Sequence, residues 1–435
     1  MPGFFRTFDI ECRRAPPAGA AWLARKQRIM AGPLTGIRVL DLSRILAGPW
    51  ATQVFADYGA EVIKVERPGH GDDTRQWGPP YLADRDGAPT GESAYYLGAN
   101  RGKRSVTIDI SRPEGQAIVR RLAAESDVVV ENFRVGALAR YGLDHAALSA
   151  VNPRLVYCSI SAFGQDGPLR DGPGYDAMIQ AMGGLMSITG PPEEEGGRPQ
   201  KVGVAIADIM TGMYAVTAVL AALLERERSG EGQYIDLALL DAQVAWLANQ
   251  NMNYLVGGSP PRRQGTAHPN IVPYQAFATR DSYIMIAVGN DRQFAAFARL
   301  LGHPDWADDP GFATNAARVA HRGTLVPLIE QALAGATTAE WRRRFGEAGI
   351  PCGPINDLAE VFAEPQVQHR GMRFDLPHPL AGTVPMVANP ARYSRTPLEY
   401  RQAPPLLGEH TDEVLGEVLG VDAEALAAWR RDGIT

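Results

Sequence analysis

The chain has 435 residues, enough for two or three domains and a large buried core. Hydrophobic residues make up 45% of it and charged residues 21%, as in ordinary globular proteins, and no apolar run reaches the roughly 18 residues of a membrane span. The formal net charge of -6 argues against a general binder of nucleic acid or of anionic membranes. Cys12, Cys158 and Cys352 lie far apart, and no histidines are paired at metal-ligand spacing. We therefore expect a reducing compartment, no disulfide framework and no metal site.

Residues 1–33 differ in composition from the rest of the chain. They are rich in arginine, as mitochondrial transit peptides are, but they also contain acidic residues, and Pro16 and Pro17 interrupt any amphipathic helix. We predict an N-terminal extension of a cytoplasmic protein. The alternative is a targeting peptide that directs the protein to the mitochondrial matrix.

The folded part is predicted to begin at Leu34. Strands over residues 37–42 and 61–66, with a helix over 50–58 between them, form a βαβ unit and imply parallel strands. The alternation continues, with further strands predicted at 105–108, 127–132 and 155–160 and a helix at 113–125. This pattern predicts an α/β fold with a doubly wound parallel sheet. Ligands of such sheets bind beyond the carboxyl ends of the strands.

The second half of the chain changes character. An apolar helix over 210–228, a strand over 233–237 and a helix over 239–254 precede an antiparallel pair of strands within 274–288. The pair indicates a smaller α+β domain. We predict a large domain over 34–225, the small domain over 226–335, and a linker with a return to the large domain over 336–435.

The first βαβ unit resembles a dinucleotide-binding unit in outline only. The glycine fingerprint GxGxxG is missing, because residues 43–49 read SRILAGP and Pro49 removes one amide from the loop. A nicotinamide or flavin enzyme is therefore disfavoured.

Two segments have the composition of a phosphate or nucleotide site. The turn at 100–105 (NRGKRS) carries three cations in four residues and suits a phosphate, although a solvated basic loop is the alternative. Asn132, Phe133 and Arg134 follow a buried strand and offer an amide, an aromatic face and a cation to an adenine-type ligand. Simple packing is the alternative interpretation there.

A single carboxylate is the candidate for covalent chemistry. Asp176 lies in GYD, between glycine-rich turns and an apolar helix, and has no His or Cys beside it in sequence. An aspartate in such a place can act as a nucleophile, but Asp is also a favoured N-cap of a helix. His268 in a loop is either a substrate contact or structural, Cys352 is expected to be structural, and the acidic run 193–197 is expected to be a solvated loop.

Several segments resemble class III coenzyme A transferases, the CaiB/BaiF family, from about Pro33 to the carboxyl terminus. The matching segments, in family order, are PLTGIRVLDLSRILAGPWATQVFADYGAEVIKVERPGHGDDTR, SAYYLGANRGKRSVTIDI, VVVENFRVGAL, YCSISAFGQDGP, GYDAMIQAMGGLMSITG, GQYIDLALLDA and APPLLGEHT. Within the family, GTAHPNIVPYQAF and YCSI look most like the branch that contains succinyl-CoA:glutarate CoA-transferase.

The resemblance implies a ring-like subunit with a large Rossmann-like domain and a small domain, and two such subunits that interlock as a homodimer. It implies that Asp176 is the nucleophile of an acyl-CoA:carboxylate CoA-transferase that works through an aspartyl-CoA thioester, with no permanently bound cofactor. Arg262, Arg263 and His268 are candidates for contacting the distal carboxylate of a dicarboxylate substrate. The contacts to coenzyme A that the resemblance implies are Ile45, Leu46, Ala47, Arg67, Asn100, Arg101, Gly102, Lys103, Asn132, Phe133, Arg140, Ser161, Ala162 and Phe163. An acyl-CoA racemase of the same fold and a non-catalytic CoA-binding protein are the alternatives.

Overall fold

The computed structural model describes residues 32–435. The predictions made for residues 1–33 therefore lie almost wholly outside the described residues. In chain order the strands are β1 (Arg38–Asp41), β2 (Glu61–Glu66), β3 (Tyr81–Ala83), β4 (Pro89–Ser93), β5 (Lys103–Thr107), β6 (Val128–Glu131), β7 (Val156–Ser161), β8 (Tyr234–Ala238), β9 (Tyr274–Ala278), β10 (Tyr283–Ala287), β11 (Cys352–Pro354), β12 (Arg373–His378) and β13 (Gly382–Val387).

The α-helices alternate with the first strands and then dominate the second half of the chain. They are α1 (Ala47–Asp57), α2 (Ala94–Leu97), α3 (Pro113–Ala124), α4 (His145–Val151), α5 (Asp176–Met182), α6 (Leu185–Ile188), α7 (Ile206–Ser229), α8 (Leu239–Trp246), α9 (Asn249–Gly257), α10 (Asp291–Leu300), α11 (Asn315–Ala320), α12 (Arg322–Leu333), α13 (Thr338–Glu347), α14 (Leu358–Ala363), α15 (Pro365–His369), α16 (Thr411–Leu419) and α17 (Ala423–Arg431).

The main sheet has six strands in the order β5-β2-β1-β6-β7-β8. The pairs β1–β2, β1–β6, β2–β5 and β6–β7 are parallel, with Val39 opposite Val62 on one side and Val128 on the other. Such strands are covered on both faces, and β1, β6 and β7 are accordingly runs of buried residues. The predicted α/β fold with a parallel sheet is confirmed. The strand order reverses between β1 and β6, which makes that crevice the expected ligand site.

The chain divides into two compact units. Unit 1 comprises residues 32–171, 209–237 and 374–435, and unit 2 comprises residues 172–208 and 238–373. These boundaries differ from the predicted ones. Residues 226–237 belong to unit 1 because β8 joins the six-stranded sheet, and residues 172–208 belong to unit 2.

Unit 2 is built around a three-stranded sheet in the order β11-β10-β9. Strands β9 and β10 are antiparallel, as predicted, with Ile284 opposite Phe277. Aromatic side chains from α10 and α13, among them Phe294, Phe297 and Phe345, are fully buried against this sheet. The aromatic core of unit 2 is thus separate from the aliphatic core that packs around the main sheet.

Two expectations about helices were wrong. The predicted helix over 239–254 is two helices, α8 and α9, because Ala248 has a left-handed backbone (φ 49) that interrupts the helical hydrogen bonds. The expectation that no apolar run is long enough to span a membrane also fails for α7, which is 24 residues long with a mean hydropathy of 1.7. A buried core helix passes the same test of length and composition, and Ala215 and Val219 of α7 are fully buried.

A network of buried charges lies under the carboxyl end of the main sheet. The Lys103 ammonium donates to Asp41 at 3.0 Å and to the Asn100 side chain at 2.8 Å. The side chains of Lys103 and Asp41 are both fully buried. Lys64 forms a second fully buried pair, with Asp72, at 2.9 Å. Burial alone raises the pKa of Asp41, but the ammonium groups of Lys103 and Lys64 outweigh it and lower the pKa to about 2. The stabilisation from this carboxylate is therefore present above its unfolded pKa and is lost as pH falls through about 2.

Replacing Lys103 by alanine is predicted to lower the free energy of unfolding by about 3–5 kcal/mol, because Asp41 is left as an unpaired buried charge. Urea denaturation followed by circular dichroism measures the change. The control is Arg430→Ala, which breaks a pair with Asp412 whose two side chains are 60% and 54% exposed, and little change is expected there. Equal losses in the two variants would contradict the role given to the buried pair.

Candidate functional site

The loops after β1 and β6 are tied together at the point where the strand order reverses. The Arg44 backbone N–H donates to the Asn132 side-chain oxygen at 2.8 Å, and the Asn132 amide donates back to the Arg44 carbonyl at 2.7 Å. The Arg44 guanidinium lies 5.4 Å from the centre of the Phe133 ring. Asn132, predicted as a coenzyme A contact, therefore also fixes the geometry of the loop that carries Ile45, Leu46 and Ala47.

The loop after β1 is held in an uncommon conformation. Ile45 has a left-handed backbone (φ 70), which is a steric outlier for a β-branched residue, and its N–H donates to Asp72 at 3.2 Å. Gly48 packs so closely on Ser43 that a Cβ at that position would lie 2.3 Å from the serine side chain. Helix α1 follows without a side-chain cap, so its first turn presents backbone N–H groups of the kind that bind phosphate.

The predicted basic turn is not a solvated loop. Lys103 is buried on Asp41, and Arg101 donates to both oxygens of Asp57, at 2.8 and 2.6 Å, with only 7% of its side chain exposed. Asn100 is buried as well, while Gly102 turns the chain with φ 73. The side chains of Asn100, Arg101 and Lys103 thus hold the end of the sheet together.

Two other predicted cations are available at the surface. Arg67 follows β2, Arg140 lies in the loop after β6, and both are exposed. Neither has an ion-pair partner among residues 32–435, so both guanidinium groups are free to bind an anion. Ser161, Ala162 and Phe163 end β7, and the Ser161 hydroxyl accepts a hydrogen bond from Gly164 at 2.8 Å.

A cavity of about 350 Å³ lies beside Phe133. The rings of His145 and Tyr234 line it, with their centroids 5.2 Å apart, and Arg134 and Glu131 contribute charged groups. Burial raises the pKa of Glu131 to about 7, although hydrogen bonds from Ser159 and from the Phe133 backbone lower it in part. The sequence held no local signal for this cavity, since its lining comes from residues 131–170 and from Tyr234.

Asp176 is the first residue of α5, in unit 2. The capping interpretation is wrong, since Tyr175 is the N-cap and no side chain caps this helix. The carboxylate instead accepts from the Ala207 backbone N–H at 2.8 Å and from the Gln180 side-chain amide at 2.7 Å. The fully buried Gln180 in turn accepts from the Val202 N–H at 2.9 Å. Each oxygen of Asp176 is therefore positioned by one donor.

Helix α7, which lies further along the chain, contributes two features that sequence reasoning missed. Ala207 in its first turn supplies the N–H for Asp176, and the next residue, Asp208, is buried. Burial raises the pKa of Asp208 to about 7, and the negative charge of Asp176 adds to the effect. An acidic residue in the first turn of an otherwise apolar helix was the available signal.

His268 stacks on Tyr274 with ring centroids 5.2 Å apart, and its Nδ1 accepts from the Asn270 N–H. Burial and the nearby Arg322 guanidinium lower the pKa of His268. Arg262 pairs with Glu194 at 3.4 Å at the surface. Within residues 32–435, His, Cys, Asp and Glu side chains form no group of three that could hold a metal ion.

The residues predicted to contact the nucleotide lie in unit 1, and the predicted nucleophile lies in unit 2. In unit 1 the crevice between β1 and β6 is where ligands of doubly wound sheets are expected to bind. In unit 2 the half-buried carboxylate of Asp176 accepts hydrogen bonds from two donors. This arrangement suits a nucleophile for group transfer.

Comparison with known proteins agrees with that description. Residues 34–411 match the family described as CoA-transferase family III. The chain is 51% identical over 90% of its length to succinate–glutarate CoA-transferase of Agrobacterium fabrum, covering 97% of it, and 43% identical over 95% of its length to human succinyl-CoA:glutarate CoA-transferase, covering 92%. A CaiB/BaiF family protein from Brucella suis superposes with a TM-score of 0.78 at 48% identity, covering 89% of this chain and all of that one.

The chain belongs to CoA-transferase family III. The predicted family and the predicted enzyme class are both confirmed. It is a transferase of CoA groups, so an acyl-CoA donor and a carboxylate acceptor are its substrates. The racemase and binding-only alternatives are accordingly set aside.

Replacing Gln180 by methionine is predicted to lower kcat roughly tenfold or more with a smaller change in the KM for acyl-CoA, because Asp176 loses one of its two donors. Steady-state assays of CoA transfer measure both constants. The control is Gln331→Met, at an exposed position of α12 in the same unit. A Gln180 variant with unchanged kcat would contradict the positioning role.

Proposed function

We propose that the protein transfers coenzyme A between carboxylic acids through a covalent aspartyl-CoA thioester on Asp176. The observation that supports this proposal most directly is the pair of hydrogen bonds, from Ala207 and Gln180, that positions this carboxylate. Among residues 32–435 no His or Cys side chain hydrogen-bonds to this carboxylate. The proposed reaction needs none, since an ionised acid attacks without a general base. The family membership supports the same class of reaction.

The donor half of the proposed reaction releases the first acid. An oxygen of Asp176 attacks the thioester carbonyl of the acyl-CoA, which gives a mixed anhydride and the CoA thiolate. The thiolate then attacks the aspartyl carbonyl of the anhydride. The donor acid leaves with the oxygen that came from Asp176, and an aspartyl-CoA thioester remains.

The acceptor half runs in the opposite sense. The acceptor carboxylate attacks the aspartyl thioester, the CoA thiolate leaves, and a second mixed anhydride forms. The thiolate attacks the acyl carbonyl of the acceptor, so that the new acyl-CoA leaves and the Asp176 carboxylate is restored. Each step exchanges one activated acyl group for another, so neither ATP nor a metal ion is consumed. Backbone N–H groups beside Asp176 are suited to stabilising the oxyanions.

The nucleotide end of coenzyme A is assigned to the residues of unit 1. The uncapped first turn of α1 and the free guanidinium groups of Arg67 and Arg140 suit its phosphates, and the half-buried Phe133 ring beside the 350 Å³ cavity suits its adenine. Binding energy from this remote part holds the thiolate in place between the two halves of the reaction. Coenzyme A is thus a substrate, and no permanently bound cofactor is proposed.

Dicarboxylates are the proposed substrates, with succinyl-CoA as donor and glutarate as acceptor. The supporting observation is that curated relatives at 43–51% identity carry these two acids in their names. His268, Arg262 and Arg263 are the proposed contacts of the distal carboxylate. We propose the cytoplasm as the location, or the mitochondrial matrix if residues 1–33 are a transit peptide.

A homodimer of interlocked, ring-like subunits is also proposed. Two neighbouring apolar side chains of α9 support an interface, since Leu255 is 70% and Val256 80% exposed. Apolar side chains that lie close together at a surface are typical of protein–protein contacts.

Incubation with succinyl-CoA is predicted to give an adduct on Asp176 that hydroxylamine removes and that added glutarate discharges as glutaryl-CoA. Peptide mass spectrometry locates the adduct. Asp176→Ala and the isosteric Asp176→Asn should lose both adduct and turnover. An Asp176→Ala enzyme with full activity would overturn the mechanism, whereas an adduct that glutarate does not discharge would reject only the proposed acceptor.

Replacing Arg67 or Arg140 by glutamine is predicted to raise the KM for acyl-CoA roughly tenfold, with a much smaller effect on kcat, because a charge-assisted contact contributes about 1.5–3 kcal/mol. The same variants should weaken the dependence of KM on salt. Arg299→Gln, at an exposed position of α10, is the matched control. Unchanged KM values would remove these two residues from the coenzyme A site.

A further inference from the structure

Asp208 is a buried carboxyl group in the first turn of α7, next in the chain to the residue that donates to Asp176. Only 9% of Asp208 is exposed, and no cation or hydrogen-bond donor contacts its carboxyl among residues 32–435. Buried carboxylates are normally paired with a cation or hydrogen-bonded, since an isolated buried charge is costly. An unpaired one beside a nucleophile therefore requires an explanation.

The donors of this region are distributed unequally between the two carboxyl groups. Asp176 accepts one hydrogen bond on each oxygen, from Ala207 and from Gln180. Both carboxyl groups lie at the N-terminal end of α7, where backbone N–H groups favour a negative charge, so only the hydrogen bonds distinguish them. Asp208 accepts none. If the site holds one negative charge, these contacts place it on Asp176 and leave the proton on Asp208.

We propose that Asp208 is a positioning residue that acts in its neutral form, so that Asp176 is the one ionised carboxyl group of the pair. This inference rests on the proposed role of Asp176 as nucleophile. A neutral Asp208 limits the negative charge that a carboxylate acceptor, or an oxyanion formed at Asp176, meets on approach. Ionised Asp208 would add a second charge in a poorly solvated place and would repel both.

The direction of its titration agrees with this geometry. Burial raises the pKa of Asp208 to about 7, with Asp176 as the charged group that adds to the effect. Raising the pH through 7 therefore ionises Asp208 and is expected to slow transfer. Acylation of Asp176 removes its charge, so the remaining cause of the shift at that stage is burial.

The test is the pH profile of kcat/KM for the acid acceptor, measured from pH 6.5 to 8.5, where dicarboxylate acceptors stay ionised. The wild type should lose roughly fivefold or more over this range as Asp208 ionises. Asp208→Asn, which keeps the size of the neutral acid but cannot ionise, should show a flat profile. Asp241→Asn, the same change in the exposed first turn of α8, should retain the wild-type profile.

Thermal unfolding supplies a second readout that does not depend on activity. A buried carboxyl group with a raised pKa destabilises the fold as pH rises, because the unfolded chain releases that proton more readily. The melting temperature of Asp208→Asn relative to wild type should therefore increase from pH 5.5 to 8.5. An Asp208→Asn profile that falls like the wild type, or a wild type with no loss above pH 7, overturns the inference.

The Asp176→Ala variant separates this inference from the proposed function. Full activity in Asp176→Ala means that the proposed mechanism fails. Loss of activity in Asp176→Ala, together with an alkaline loss retained in Asp208→Asn, means that the role of Asp208 alone fails.

Discussion

The fully buried pair between Lys103 and Asp41 is the interaction on which the loop after β1 and the start of α1 depend. It joins β5 to β1 under the carboxyl end of the main sheet, and the Lys103 ammonium also donates to the carbonyl of Pro49 at 3.0 Å, in the first turn of α1. The strand end, the strained loop and the helix start are therefore held by one cation. Ile45 in this loop has an unfavourable backbone conformation. That conformation can persist because the contacts of Lys103 fix the structure on both sides of the loop.

The basic turn shows that a cluster of cations can serve the scaffold rather than the ligand. Arg101 and Lys103 neutralise buried carboxylates, whereas the exposed Arg67 and Arg140 have no such partner within residues 32–435. Residue type alone does not distinguish these two sets of cations. The difference between their roles is that one set is buried and the other is exposed. Arg101 and Lys103 thus supply structural charge, whereas the charges of Arg67 and Arg140 remain available to the proposed ligand.

The surroundings of Asp176 stabilise its negative charge with hydrogen bonds. Two donors stabilise its carboxylate, whereas Asp208 lacks such donors and burial raises its pKa to about 7. Asp176 is held by hydrogen bonds from Ala207 and Gln180, and this suits the proposed nucleophile, which would lose and regain its charge in every turnover. A nearby guanidinium would stabilise the free carboxylate and oppose its acylation.

The sequence by itself determined the α/β class, the parallel strands and the candidate nucleophile, because alternating apolar segments and the GYD segment are local patterns. The family followed from several ordered segments together. Tertiary structure decided that β8 belongs to the main sheet, that Lys103 is buried, and that Ala207 and Asp208 of α7 lie beside Asp176. These facts depend on contacts between residues distant in the chain, and such contacts leave no periodic signal in the sequence.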